Sequence, residues 1–185
     1  MKLVYRFFLS AKHWQIFLLI FGAYCVGQFQ AMFSVVGAHS PNQIGGFGIL
    51  FWFAMALFGF SFVAWFWSMG SFLGSIVRPE LKLRPALFHV ALIYPVFYAF
   101  FFFEFVLTTK TSSGSLIVPL HLLAMFCVLY IMYFDSKSLA LVEREIPVSF
   151  SDWAVPFFLL WFFPFGVWII QPKINRLYIE NLRRA

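Results

Sequence analysis

Apolar positions along this chain come in long unbroken runs, without the alternation of half-buried strands or the spaced stripes of surface helices. The longest run, Gly45 to Val77, contains no charged residue. A stretch that long and that apolar exceeds what a soluble helix needs and predicts a membrane span. Read the same way, residues 14–36, 47–77, 86–107 and 116–134 form four spans, separated by polar or proline-bounded connections. A fifth run, 153–170, is shorter and is interrupted by Pro156, Pro164 and Gly166. The expected fold is therefore an all-α integral membrane protein with a single membrane domain.

Span two carries a second pattern. Ser61, Ala64, Ser68, Ser71 and Ser75 recur at alternating spacings of three and four, which places them on one helix stripe. Gly70 and Gly74 add a G-x-x-x-G beside it. Lipid tails are as apolar as phenylalanine, so apolarity alone does not bring membrane helices together. Small residues do so by letting backbones approach, and serine hydroxyls can bond across the contact. The stripe is thus expected to be a helix-packing seam. At about 1.5 Å rise per residue this span outruns a hydrocarbon core of ~30 Å, so it must tilt, bend near Gly59, or project from one face.

The connections set the orientation. The first, GAHSPNQIGG, has no Lys or Arg, the second (RPELKLRP, Arg78 to Pro85) carries three basic residues, and TTKTSSGS carries only Lys110. Span four ends at Asp135-Ser136-Lys137, and the stretch to Asp152 reads as a cytoplasmic amphipathic piece. If the fifth run crosses, there are five spans and the basic tail lies opposite the N-terminus. If it dips in and returns, or lies in the interface, both termini are cytoplasmic and every basic residue but Lys110 lies on that side. The excess of Lys and Arg in cytoplasmic segments favours the second arrangement: four spans plus a re-entrant or half-inserted segment. The hairpin would then bend at Pro164-Phe165-Gly166, a non-helical backbone that must be covered by protein. After it, PKINRLYIENLRRA is expected to form an amphipathic helix begun by Pro172. Ile174, Leu177, Tyr178 and Leu182 share one of its faces, while Lys173, Arg176, Arg183 and Arg184 meet anionic headgroups. The N-terminal residues 1–13, with Lys2, Arg6 and Lys12 around Phe7-Phe8-Leu9, suit a short interfacial segment. Residues 14–36 are too long for a signal h-region and lack a small-x-small cleavage site, so they are expected to stay as the first span.

Composition supports this picture and narrows the chemistry. Of 185 residues, 63% are hydrophobic and 11% charged, too apolar a balance for a water-soluble domain. The formal charge of +6 sits in short caps between apolar runs and forms no basic stripe with interleaved aromatics, which argues against a nucleic-acid partner. The 29 phenylalanines serve packing and lipid contact. Cys25 and Cys127, each inside an apolar run, read as small hydrophobes.

No P-loop, dinucleotide fingerprint, H-E-x-x-H, C-x-x-C or G-x-S-x-G occurs. The four histidines fall at unsuitable depths for a bis-histidine haem: His13 and His89 near the cytoplasmic ends of their spans, His39 and His121 near the outer side. No cofactor or metal is expected. The polar pair of most interest is Glu104 with His121, each about a turn inside the outer boundary on spans joined by a short loop. A carboxylate and an imidazole there would bond one another as interhelical glue, bind a cation, or relay a proton. Asp135 and Asp152 read as helix caps, and Gln171-Pro172 as the end of the apolar run.

The segment FSDWAVPFFLLWFFPFGVWIIQPKIN (Phe150 to Asn175), with its FFP-x-GVW-x-x-QP-x-IN core, resembles the C-terminal signature of a group of small, uncharacterised bacterial polytopic membrane proteins. SAKHWQIFLL (Ser10 to Leu19) resembles their N-terminus, and the middle of the chain matches only in hydropathy. The resemblance implies a bacterial cytoplasmic-membrane location and no particular activity. Two functions follow as expectations. One is a non-enzymatic accessory or scaffold subunit that uses its seam to hold a membrane-protein partner or a second copy. The other is a small transporter, channel or membrane-embedded enzyme working through Glu104 and His121.

Overall fold

A computed structural model describes residues 2–36, 48–108 and 114–184, so the loop with His39 and the turn with Lys110 lie outside the described residues. Within them the chain is helical and contains no strand. Three helical stretches are long and apolar enough to cross a membrane: His13–Ser34, Ile49–Ile76 and Ile117–Arg144. A shorter apolar stretch, Pro85–Ala99, accompanies them. This is the architecture of an all-α membrane protein. The exposed large side chains are what such a protein turns to lipid, among them Phe29, Phe53, Phe97 and Phe126.

The helices fall into two compact units, Met1–Trp65 with Phe163–Ala185, and Phe66–Phe162. The first unit opens with α1 (Lys2–Ser10), whose Phe8 and Leu9 are buried. A two-residue break follows, and Gln15 Oε1 accepts the Lys12 N–H at 2.8 Å to restart the chain as α2 (His13–Phe17). A π-helical turn, Leu18–Gly22, leads into α3 (Ala23–Val36). Against α3 lies the early part of α4 (Ile49–Ile76), whose side chains reach Gly27. A Cβ on Gly27 would meet Met55 Sδ at 3.0 Å and the Ala54 methyl at 3.8 Å. Next to that contact Tyr24 and Phe58 lie 5.6 Å apart, centroid to centroid. The unit is completed by α8 (Phe163–Arg184), which packs against α1 and α2. Trp168 lies 4.4 Å from His13 and 6.1 Å from Phe17, and Phe163 meets Trp65 edge to face at 5.3 Å. The tail was expected to start a new helix at Pro172; it is instead the second half of one helix that runs through Pro172. Ile174 is buried, Leu177 and Tyr178 half-buried and Leu182 exposed.

The second unit holds the rest of α4, a 3-10 turn at Pro79–Leu81, α5 (Pro85–Thr108), α6 (Gly114–Arg144) and α7 (Phe150–Trp161). Its core is the C-terminal half of α6, where Ile131, Met132, Phe134, Leu139, Ala140 and Leu141 are all buried. Phe88 of α5 stacks on Phe134 at 4.3 Å and 21°. From α7, Trp153 meets Tyr133 edge to face at 5.0 Å. The helix does not stop at Asp135, as a capping role there requires, but continues to Arg144 and closes on Glu145. Glu145 takes the left-handed conformation (φ 57°) that commonly ends a helix, with Pro147 two residues on. Its carboxylate also pairs with Arg78 at 2.7 Å, an exposed bridge that contributes little.

Asp152 does act at a helix start. It is the fourth residue of Ser149-x-x-Asp152, and Asp152 Oδ2 accepts from the Ser149 N–H (2.8 Å) and hydroxyl (2.9 Å), while Oδ1 meets Arg144 at 2.8 Å. The Ser149 hydrogen bonds first, and Arg144 after them, hold the Asp152 carboxyl below its ordinary value. A group whose folded pKa is depressed stabilises above the unfolded value, about 3.9 for Asp, and loses that contribution as pH falls through the folded value. Wild type should therefore unfold at a higher temperature than Asp152→Asn at neutral pH. The difference should shrink below about pH 4; a gap unchanged by acid would mean that the charge of Asp152 is irrelevant.

Candidate functional site

Two buried polar centres stand out, one in each unit. In the first, Gln171 is fully buried on α8. Its Oε1 accepts from Trp65 Nε1 at 2.7 Å. Its Nε2 reaches Phe8 O (2.9 Å), Ala11 O (3.0 Å) and Asn175 Oδ1 (2.8 Å). An amide nitrogen has two protons, so these three acceptors share them. Asn175 relieves the shortage, because its Nδ2 also donates to Ala11 O at 3.0 Å. The carbonyls served here belong to the end of α1 and the break after it, the groups that a helix C-terminus leaves without intrahelical donors. One glutamine thus ties the N-terminal helix, Trp65 of α4 and the last helix together. Its place just before Pro172 gave it the look of an end signal.

In the second unit, Asp135 is 1% exposed, and both of its carboxyl oxygens are buried without a hydrogen-bond partner. It faces Gly70 of α4. A Cβ added at Gly70 would collide with Asp135 Oδ1 and with the tip of the Phe88 ring. The glycine is therefore there to make room for a carboxyl and an aromatic ring, while at Gly74, a turn on, an added Cβ would lie 4.0 Å from Phe134 Cζ, in ordinary contact.

The small-residue seam is distributed unevenly. Ser61, Ala64, Ser68 and Gly70 are buried, Ser71 and Gly74 half-buried, and Ser75 exposed. The Ser75 hydroxyl donates to Phe72 O at 2.6 Å, whereas the hydroxyls of Ser68 and Ser71 are buried with no partner. Glu104 lies on α5, and its side chain is outside the described residues. His121 is exposed on α6, where its Nδ1 lies 3.0 Å from the Tyr98 hydroxyl, with rings 5.7 Å apart. Tyr98 was not singled out in the sequence, although it lies on the same span as Glu104 and closer to mid-span. Among the described residues no group of three or more His, Cys, Asp or Glu could hold a metal ion.

Around Phe162 the helix breaks, with φ −87° and ψ 56°. Pro164 and Gly166, the expected bend, instead occupy the first turns of α8, where a proline near the N-terminus is tolerated. Gly166 is buried and Pro164 half-buried. Of the basic tail residues, Lys173 is half-buried and Arg176, Arg183 and Arg184 are exposed. No protein-family model, curated protein or solved structure matches this chain.

Proposed function

We propose that this chain is a multi-pass protein of the bacterial cytoplasmic membrane that serves as a non-enzymatic accessory or scaffold subunit. It crosses four times, its fifth segment enters and leaves by one face, and both termini are cytoplasmic. The observation that carries this topology is the seating of α8 on the start of the first span. Gln171 and Asn175 bond to Phe8 and Ala11, and Trp168 lies on His13 and Phe17, so the last helix runs beside the start of that span. The length of α7 agrees: twelve residues rise about 18 Å, short of a ~30 Å core.

A scaffold role is supported by where the polar chemistry goes. Gln171 and Asn175 are engaged in holding helices, and the buried seam residues Ser61, Ala64 and Ser68 are packed within the chain. What remains for a partner helix or a second copy is the open end of the seam at Ser75, with Gly74 and Ser71 behind it. Cysteine at 75 should therefore cross-link in native membranes to one discrete companion, and cysteine at buried 68 should not. A monomeric particle with no adduct from either position would remove the scaffold reading.

A further inference from the structure

Between the α1–α2 break and the second half of α8 lies an open cleft of about 490 Å³. Its polar lining is Lys12, His13, Asn175, Arg176, Glu180 and Arg183. Three cationic side chains meet one carboxylate, and that carboxylate is only loosely engaged, with Arg176 Nε 3.9 Å from Glu180 Oε1. We infer that this cleft binds the phosphodiester headgroup of an anionic phospholipid.

Four features converge on that ligand. The charge excess is positive and local, and the two guanidinium groups can present paired N–H donors to phosphate oxygens. The floor is fixed before any ligand arrives, since Asn175 is held by Gln171 and by Ala11 O. The depth is right for lipid: the cleft opens at His13, where the first membrane-length helix begins, and the half-exposed Trp14 and Trp168 mark the bilayer interface there. Finally, Ile179 and Pro172 give the cleft an apolar side, which a glycerol and the first acyl carbons can cover and a free anion cannot use. Basic pockets beside membrane helices on the cytoplasmic side recognise such headgroups in this way. None of the residues lining the cleft belongs to the proposed partner-binding end of α4, so the two proposals are tested separately.

The test is the thermal unfolding of the purified full-length protein in detergent, titrated separately with phosphatidylglycerol, phosphatidylcholine and inorganic phosphate. Phosphatidylglycerol should raise the unfolding temperature saturably, and the other two should not. The double variant Lys12→Gln/Arg183→Gln should weaken the phosphatidylglycerol response by about tenfold or more, whereas Lys173→Gln/Arg184→Gln, outside the lining, should change it by less than about twofold. Equal responses to the two lipids would overturn the headgroup assignment, an equal response to inorganic phosphate would make the ligand a free anion, and equal loss in both double variants would reduce the site to diffuse charge. Should Lys12→Gln/Arg183→Gln not fold, native mass spectrometry of the wild type from an equimolar lipid mixture decides: preferential retention of phosphatidylglycerol supports the site, and equal retention overturns it.

Discussion

Replacing Gln171 by leucine should lower stability by about 2–5 kcal/mol, on the basis of about 1–3 kcal/mol for each buried polar group deprived of its partner. Leucine nearly matches the volume, so packing is largely kept and the loss is one of hydrogen bonds. Ala11 O retains the Asn175 donor, but Phe8 O loses the Gln171 amide and Trp65 Nε1 loses its 2.7 Å acceptor. In a chain of this size that corresponds to a fall in unfolding temperature of roughly 6–15 °C. Glutamate is the sharper probe. It keeps an acceptor for Trp65 but, when ionised, sets a second acceptor against the carbonyls of Phe8 and Ala11, so Gln171→Glu should be at least as damaging as leucine at neutral pH. Loosening should begin at the N-terminus, because α1 is the element whose end the amide holds, and proteolysis between α1 and α2 reads it directly. A leucine variant within about 0.5 kcal/mol of wild type would mean that this network adds nothing, the outcome that modest interhelical hydrogen bonds in membranes sometimes give.

What the sequence revealed and what it hid divide along a physical line. Membrane helices were legible because each is a property of one contiguous run: Ile49–Ile76 and His13–Ser34 follow from the absence of charge over their length. The start of α7 was legible for the same reason, since Ser149 and Asp152 lie three residues apart and need no distant partner. The two buried centres depend on contacts between residues far apart in the chain. Gln171 bonds to residues more than a hundred positions away, and a glutamine before a proline carries a strong local signal for something else. Proline at 172 does not stop α8, because a helix loses only one donor there and continues on either side. A clue did exist: Gln171 and Asn175 are four residues apart, a spacing that lets two amides meet on one helix face. On α4, Gly70 is about half a helical turn from Ser68 and faces the carboxyl of Asp135, a neighbour that the spacing of small residues does not name. The contact of His121 with the Tyr98 hydroxyl joins neighbouring helices and carries no local signal either.

Alanine at two glycines of the same helix should act in opposite directions. A Cβ at Gly59 meets nothing within 4 Å, so Gly59→Ala should be neutral or stabilising by up to about 1 kcal/mol through helix propensity alone. At Gly70 the same gain is set against overpacking of about 1–3 kcal/mol, because the new methyl would overlap the Asp135 carboxyl and the Phe88 ring. Neither neighbour can yield cheaply. Phe88 is stacked on Phe134, whose own ring tip reaches toward Gly74, and Asp135 sits among the buried residues Phe134, Ser136 and Ser138 of α6. Gly70→Leu should cost more than Gly70→Ala and should deplete folded protein from the membrane. The role of Asp135 can be read from the same series. A buried carboxyl without donors is a poor way to fill space, and replacing it by an apolar group of similar or smaller size is often neutral or favourable. Asp135→Ala should therefore rescue Gly70→Ala, with a coupling of about 1 kcal/mol or more in the double-mutant cycle measured by thermal unfolding. Strict additivity would mean that the methyl is accommodated elsewhere, and that the fit of Gly70 to Asp135 is not what selects glycine at that position.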